Sequence, residues 1–270
     1  MRFVCPKCGE KLNINDKAAI CPSGHSYDRA RGGYYNLLLG NVGGVHGDNK
    51  EMVQARRAFL GEDFYAPLAR WIGGLALEFT PEDGCLLDAG AGEGYYTDFV
   101  ERTLFEHNGK SDVSAFDISK DAVREIGKKN PRISLAVAGS YHMPIADSEF
   151  DTVINTFSPL ALDETRRVLK TGGHFIMAIP GEMHLFDLKS VIYDTPYKNE
   201  VADTTLEGFE LVMDEPLTYK FNLDTPEKIQ NLFMMTPYAY RTRQADKDKI
   251  LSLKTLECTA DFRIFVYKKL

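Results

Sequence analysis

No stretch of this 270-residue chain approaches the ~18 consecutive apolar residues that a membrane-spanning helix needs. The first residues, Met1-Arg2-Phe3-Val4-Cys5-Pro6-Lys7-Cys8, hold no apolar run that could serve as a secretory signal. The expectation is a cytoplasmic protein with no membrane partner. There is no internal repeat and no low-complexity tract. Cysteine is scarce, and its odd count of five leaves one over in any scheme of paired disulfides. Positive charge is short as well, with 32 Lys and Arg against 39 Asp and Glu for a formal net charge of −7. Taken whole, that balance argues against a polyanionic partner.

What is present changes the last inference. With 44% hydrophobic residues the chain can bury a proper core. Its charge is unevenly spread. Residues 1–57 carry nine basic and five acidic side chains, and residues 237–270 carry eight and four, so each end is net +4. The stretch between them is net −15. Such asymmetry suits a polyanion met by one part of the chain, although ordinary surface scatter produces it too.

Three of the cysteines fall near the start in the pattern Cys5-x2-Cys8-x12-Cys21-x3-His25. A two-residue spacing lets both thiolates point inward from one tight knuckle, and Pro6 and Gly9 suit that turn. Cys21-Pro22-Ser23-Gly24-His25 repeats the build with an imidazole. Three cysteines and one histidine form a closed tetrahedral zinc set, the usual structural kind. A disulfide is the weaker reading in a reducing compartment, and a redox pair lacks its βα setting. A segment this short needs the metal to hold a core. Residues 1–40 are therefore read as a zinc module and 41–51 as a glycine-rich linker. In the glycine-rich stretch 32–49, which reads as a long loop, Tyr34, Tyr35 and Asn36 are able to stack on bases, and the preferred reading is that Tyr34, Leu37 and Leu38 anchor the linker.

From Met52 onward the period becomes helical, with a second helix over Ala66–Phe79. Short apolar runs then appear at 85–88, 113–117, 133–138, 150–156 and 174–179, with helical stretches such as Tyr95–Phe105 and Asp121–Lys128 separating most of them. Strands alternating with helices imply an α/β fold with a doubly wound, mostly parallel sheet. Leu211–Leu217 and Phe262–Val266 read as a completing hairpin and Pro226–Met235 as a helix. Cys85 and Cys258 are expected to be buried thiols.

The first of these strands ends in Asp88-Ala89-Gly90-Ala91-Gly92-Glu93-Gly94. Glycines at 90, 92 and 94 permit a tight turn and a close approach to a ligand. Asp117 ends the second strand, where a carboxylate can accept hydrogen bonds from ribose hydroxyls. A dinucleotide site would read G-x-G-x-x-G, whereas this loop is G-x-G-x-G. Asp88 suits a ligand with a sulfonium and an amino group and is a poor neighbour for a pyrophosphate. Leu169-Lys170-Thr171-Gly172-Gly173 looks like the turn before the fifth strand of class I methyltransferases. S-adenosylmethionine is the better reading of the cofactor.

The chain as a whole resembles the RlmA-type 23S rRNA (guanine-N1) methyltransferases. The likeness rests on the Cys5, Cys8, Cys21 and His25 module and on four further stretches: Gly33–Leu38, Gln54–Leu60, Gly92–Thr97 and Met235–Arg241. It implies a class I methyltransferase domain over 52–270 behind a zinc-binding, RNA-binding module. It also implies S-adenosylmethionine contacts at Tyr65, Gly92, Glu93 and His184, to which position adds Asp88, Gly90 and Asp117. The implied partner is 23S rRNA, held by a homodimer. The family divides by which guanine of one hairpin is modified, and one branch is similar to tylosin-resistance enzymes. The departures at Asn155–Pro159 and Gly40–Lys50 leave the target guanine and any macrolide resistance open.

Such a reaction is an in-line displacement, fast largely because two reactants are held together. Guanine N1 carries a proton that must leave, and Glu182 and His184 are candidate bases by position only. No Asn-Pro-Pro-Tyr motif marks amino-nitrogen chemistry. Lys7, Lys11, Lys17, Arg29, Arg31, Arg56 and Arg57 are candidate phosphate contacts. Arg57 has a second reading as an ion pair with Glu62 or Asp63. Two other functions stay open: a small-molecule methyltransferase acting, for example, on a quinone, and a non-catalytic zinc-ribbon adaptor.

Overall fold

The computed structural model describes residues 1–40, 48–201 and 204–270. The chain begins with three short strands, β1 (Asn13–Ile14), β2 (Ala18–Ile20) and β3 (Ser26–Asp28), which form a small antiparallel sheet. Next come β4 (Tyr34–Asn36), α1 (Lys50–Leu60), α2 (Ala66–Phe79), β5 (Leu86–Ala89), α3 (Tyr95–Asn108), β6 (Val113–Asp117), α4 (Lys120–Lys129) and β7 (Ser134–Val137). The remainder is β8 (Phe150–Thr156), α5 (Leu162–Val168), β9 (Leu169–Pro180), α6 (Phe186–Ile192), β10 (Phe209–Leu223), α7 (Pro226–Met234), α8 (Tyr238–Arg241), α9 (Gln244–Leu251) and β11 (Leu256–Lys269).

Eight of these strands make one sheet, in the order β10-β11-β9-β8-β5-β6-β7-β4. The pairs from β9 through β4 are parallel, and β10 and β11 are antiparallel. The order reverses beside β5, which leaves a crevice at the carboxyl ends of the strands where such sheets bind ligands. This is the α/β class I methyltransferase fold. Central strands of a parallel sheet are covered on both faces, which is why Leu86-Leu87-Asp88-Ala89 is buried throughout. Side chains alternate between the two faces. Leu86, Ala115 and Ile154 pack with α2, α3 and α4, while Leu87, Phe116 and Val153 point the other way.

That second face has an unexpected cover. Phe3, Cys5, Leu12, Ala19 and Cys21 of the N-terminal segment pack there with Tyr35, Leu37, Phe116, Met143 and Ile145 in a single apolar cluster. The Val4 N–H donates to Pro144 O at 2.8 Å, and Phe3 bridges to Ile145. Burying a phenylalanine of this kind contributes roughly 1.5–3 kcal/mol. The module is thus one layer of the larger core.

Tyr34–Asn36 differs from the expected loop. It is the edge strand of the large sheet, parallel to β7, with Tyr34 on one face and Tyr35 on the other. Both rings are buried, so they anchor the chain and have no face for a base. Positions 41–47 of the expected linker lie outside the described residues, and Lys50 and Glu51 already belong to α1. β9 also starts earlier than expected, running through Gly172 and Gly173 from Leu169. The β10 and β11 pair is longer than the expected hairpin and is joined through α7, α8 and α9. Among the described residues no helix is long and apolar enough to cross a membrane.

Candidate active site and zinc centre

Two tight turns build the metal centre. Gly9 N–H donates to Cys5 O at 2.8 Å in the first turn, and Gly24 N–H donates to Cys21 O at 2.9 Å in the second. The four donor atoms of Cys5, Cys8, Cys21 and His25 all lie within 4.8 Å of one another. Cys8 Sγ and Cys21 Sγ are 3.7 Å apart, and His25 Nδ1 is 3.5 Å from Cys5 Sγ and 3.3 Å from Cys21 Sγ. A tetrahedral zinc ion sets S···S at about 3.8 Å and S···N at about 3.6 Å. These three separations stand close to the spacing zinc requires, with Nδ1 as the imidazole ligand. Tyr27 Oη lies 3.3 Å from Cys5 Sγ, placed to donate to a thiolate. Four protein donors close the site, which makes it structural.

The glycine loop occupies the crevice beside β5. Gly90, Gly92 and Gly94 adopt φ of 89°, 56° and 80°, a left-handed conformation natural to glycine. Gly90 is also hemmed in, because a β-carbon there would stand 2.6 Å from Ser158 Cβ. Asp117 is pinned by backbone donors, Gly92 N–H to Oδ2 at 2.9 Å and Ser119 N–H to Oδ1 at 2.7 Å. Burial pushes its carboxyl above the usual range. Asp88 lies behind the loop. Its Oδ2 accepts from Thr97 Oγ1 at 2.6 Å, while Oδ1 is buried with no hydrogen-bond partner. Burial raises the Asp88 carboxyl to about 7. A cationic ligand nearby would favour its charged form.

A cavity of about 570 Å³ opens at this edge, lined by Gly90, Asp117, Ile118, Gly139, Ser140 and Ser158. Its other wall is the first zinc knuckle, Cys5-Pro6-Lys7, with Leu37-Leu38-Leu39. The residues present suit S-adenosylmethionine: a pinned carboxylate for a ribose, a turn that admits no β-carbon at Gly90, and an unpartnered carboxylate oxygen.

Glu93 has a different setting. It is buried and pairs with Arg56 Nε at 2.8 Å, and Arg56 also binds Asp48. Burial raises the Glu93 carboxyl against the opposing pull of Arg56. Arg56 is consequently held by two carboxylates and is not a free phosphate contact. Arg57 reaches neither Glu62 nor Asp63 and pairs with Glu125 at 2.7 Å.

Tyr65 and His184 form a second group. Tyr65 caps α2 with its ring among Phe59, Phe221 and Phe262, and its Oη lies 3.3 Å from His184 Nε2. His184 Nδ1 accepts the Asp261 N–H at 3.3 Å. A neutral imidazole accepting at Nδ1 carries its proton on Nε2, so Nε2 donates to Tyr65. The phenol proton is then not used within this pair. Burial holds the His184 imidazole down at about 3, which together with its two hydrogen bonds makes it a poor base. Glu182 is exposed and pairs with Lys198 at 3.1 Å. Phe157 links the two groups, its ring 6.1 Å from that of Tyr96 at the start of α3 and 6.2 Å from that of His184.

Sequence reading missed Ile118, Gly139, Ser140 and Ser158 as cavity residues. Each follows a strand at the carboxyl edge of the sheet, a positional signal that would have found them. Cys85 and Cys258 are buried, as expected.

This fold, with its glycine loop and fused zinc ribbon, defines an S-adenosylmethionine-dependent methyltransferase. Residues 3–39 match a family described as RlmA, N-terminal, and residues 86–173 match a methyltransferase domain. A Micromonospora griseorubida protein carrying the provisional name 23S rRNA (guanine-N(1)-)-methyltransferase is 32% identical over 89% of this chain and 88% of its own. The 23S rRNA (guanine(748)-N(1))-methyltransferase of Streptomyces fradiae is 32% identical over 82% of this chain and 79% of its own. The chain belongs to the 23S rRNA (guanine-N1) methyltransferase family. A provisionally named type II methyltransferase from Anaeromyxobacter dehalogenans shares the fold, with TM-score 0.50 and 19% identity over 75% of this chain and 94% of its own.

Proposed function

We propose that the protein methylates N1 of a guanine in a hairpin loop of 23S rRNA, within the cytoplasm. One observation carries the reading most: a closed zinc centre and the cavity holding Asp117 share a wall, Cys5-Pro6-Lys7. A module meeting RNA would then deliver it directly to the methyl donor. Lys7, Lys11, Lys17, Arg29 and Arg31 are exposed and make no ion pair among the described residues, as phosphate contacts require.

In this reading S-adenosylmethionine, when bound, supplies an electrophilic methyl group. Asp117 holds the ribose, Asp88 offers charge to a cationic group, and Tyr65, held by His184, donates its phenol proton to a ligand acceptor. Glu93 acts through Arg56 to fix the loop. Residues 1–40 serve as the RNA-binding part and 52–270 as the catalytic part, and two copies hold the hairpin between them. Mass measurement in solution tests the dimer.

Labelled S-adenosylmethionine offered to rRNA transcripts and to lipid extracts separates the readings. Label in RNA supports this one, label in lipid supports a small-molecule enzyme, and none in either supports an adaptor.

A further inference from the structure

Phe157 stands at the carboxyl end of β8 with φ of 59°, a left-handed conformation that residues bearing a β-carbon avoid. Its N–H donates to Ala178 O at 3.0 Å, which ties this backbone to β9. The residue is nevertheless 39% exposed. Strained backbone is a reason to look for function when it holds a side chain where folding alone would not place it. Asp63 and Leu185 are two of the other non-glycine residues with positive φ, and they flank Tyr65 and His184. Strain is therefore gathered around this site.

The setting of the ring is specific. It lies nearly parallel to His184, at 22°, and edge-on to Tyr96, at 70°. The next residue, Ser158, packs against Gly90 and lines the cavity. Phe157 thus occupies the middle of the carboxyl edge, between the glycine loop and the Tyr65–His184 pair, with apolar surface open to solvent. A base brought to this edge out of its stack loses its neighbours' faces and needs another.

We propose that Phe157 is the surface on which the target guanine stacks during methyl transfer. This rests on the RNA reading given above. Stacking contributes through the face of the ring, so a tyrosine keeps it and a leucine, similar in apolar bulk, loses it. Tyr141, 65% exposed at the cavity rim, is the competing surface.

The experiment compares wild type, Phe157→Leu, Phe157→Tyr and Tyr141→Leu on an rRNA hairpin transcript. It measures kcat/KM for RNA, calorimetric affinity for S-adenosylhomocysteine, and melting temperature. Expected for Phe157→Leu is a loss in kcat/KM of about 5-fold to about 150-fold, with unchanged product affinity and melting temperature. Phe157→Tyr should retain wild-type turnover within about 3-fold. The proposal is overturned if Phe157→Leu turns over like wild type, if Phe157→Tyr fails equally, if the loss follows weakened product binding, or if only Tyr141→Leu is impaired. If the wild type leaves the transcript unlabelled, the RNA reading fails first.

Discussion

Tyr65 Oη and His184 Nε2 meet at 3.3 Å inside the protein although the residues are 119 positions apart. The Asp261 N–H at Nδ1 orients the imidazole, which in turn orients the phenol. Tyr65→Phe removes the hydroxyl that a ligand can use. Its expected effect is about a tenfold loss of cofactor affinity, from one hydrogen bond. His184→Ala should also cost about 1–3 kcal/mol of stability, since it leaves the Asp261 N–H unpaired. Calorimetry and chemical denaturation check both.

His184 has a pH signature. Its imidazole is held at about 3, below its ordinary value, because burial disfavours the cation. Its contribution to stability is complete above about 6.5 and is lost as pH falls through about 3. Its ring resonances should therefore stay constant from pH 8 to about pH 5. A midpoint near 6.5 would contradict the buried geometry.

Asp88 works in the opposite sense. Burial raises its carboxyl to about 7, so its contribution is present below the ordinary carboxylate value and is lost as pH rises through about 7. Ligand-free wild type should melt at lower temperature at pH 8 than at pH 6, and Asp88→Asn should flatten that slope. S-adenosylmethionine affinity should rise over the same interval in the wild type alone. Parallel slopes in the two proteins would place the titration elsewhere.

Arg56 and the basic side chains of the zinc module should part company. Arg56→Met leaves Glu93 buried without its cation, at a cost of about 3–5 kcal/mol in stability. Lys7→Ala or Lys11→Ala should leave stability alone. Each should weaken RNA binding evenly across sequences and lower the salt slope by roughly 1. Titrations at several salt concentrations distinguish them.

Much of this was readable from the chain because its signals are local. The cysteine spacing sets two knuckles, the glycine triplet sets the loop, and alternating apolar runs set the strands. Long-range matters were hidden. Tyr34–Asn36 is three residues among glycines, and only pairing with β7 makes it a strand. Nothing near Phe3 says that it will pack against Met143 and Ile145. Arg56 looks like any surface arginine until the fold brings Glu93 to it. Family likeness names Tyr65 and His184 separately as cofactor contacts; that they pair with each other appears only in the fold, where β11 lies beside β9.

Because the zinc module covers one face of the sheet, metal loss should spread. Chelation is expected to reduce amide protection in residues 1–30, in Tyr35–Leu37, in β7 and around Met143–Ile145. It should also lower cofactor affinity, since the knuckle walls the cavity. Hydrogen exchange limited to the first thirty residues would mean that the module and the sheet are independent.

Everything proposed for this site converges on guanine N1 methylation in RNA. Its most direct test is primer extension on a 23S rRNA transcript treated with enzyme and S-adenosylmethionine. A methyl at N1 blocks the pairing edge, so one new stop is expected beside a single hairpin-loop guanine, absent without cofactor. Full-length extension from a transcript shown to carry the label would contradict it, by placing the methyl on another atom.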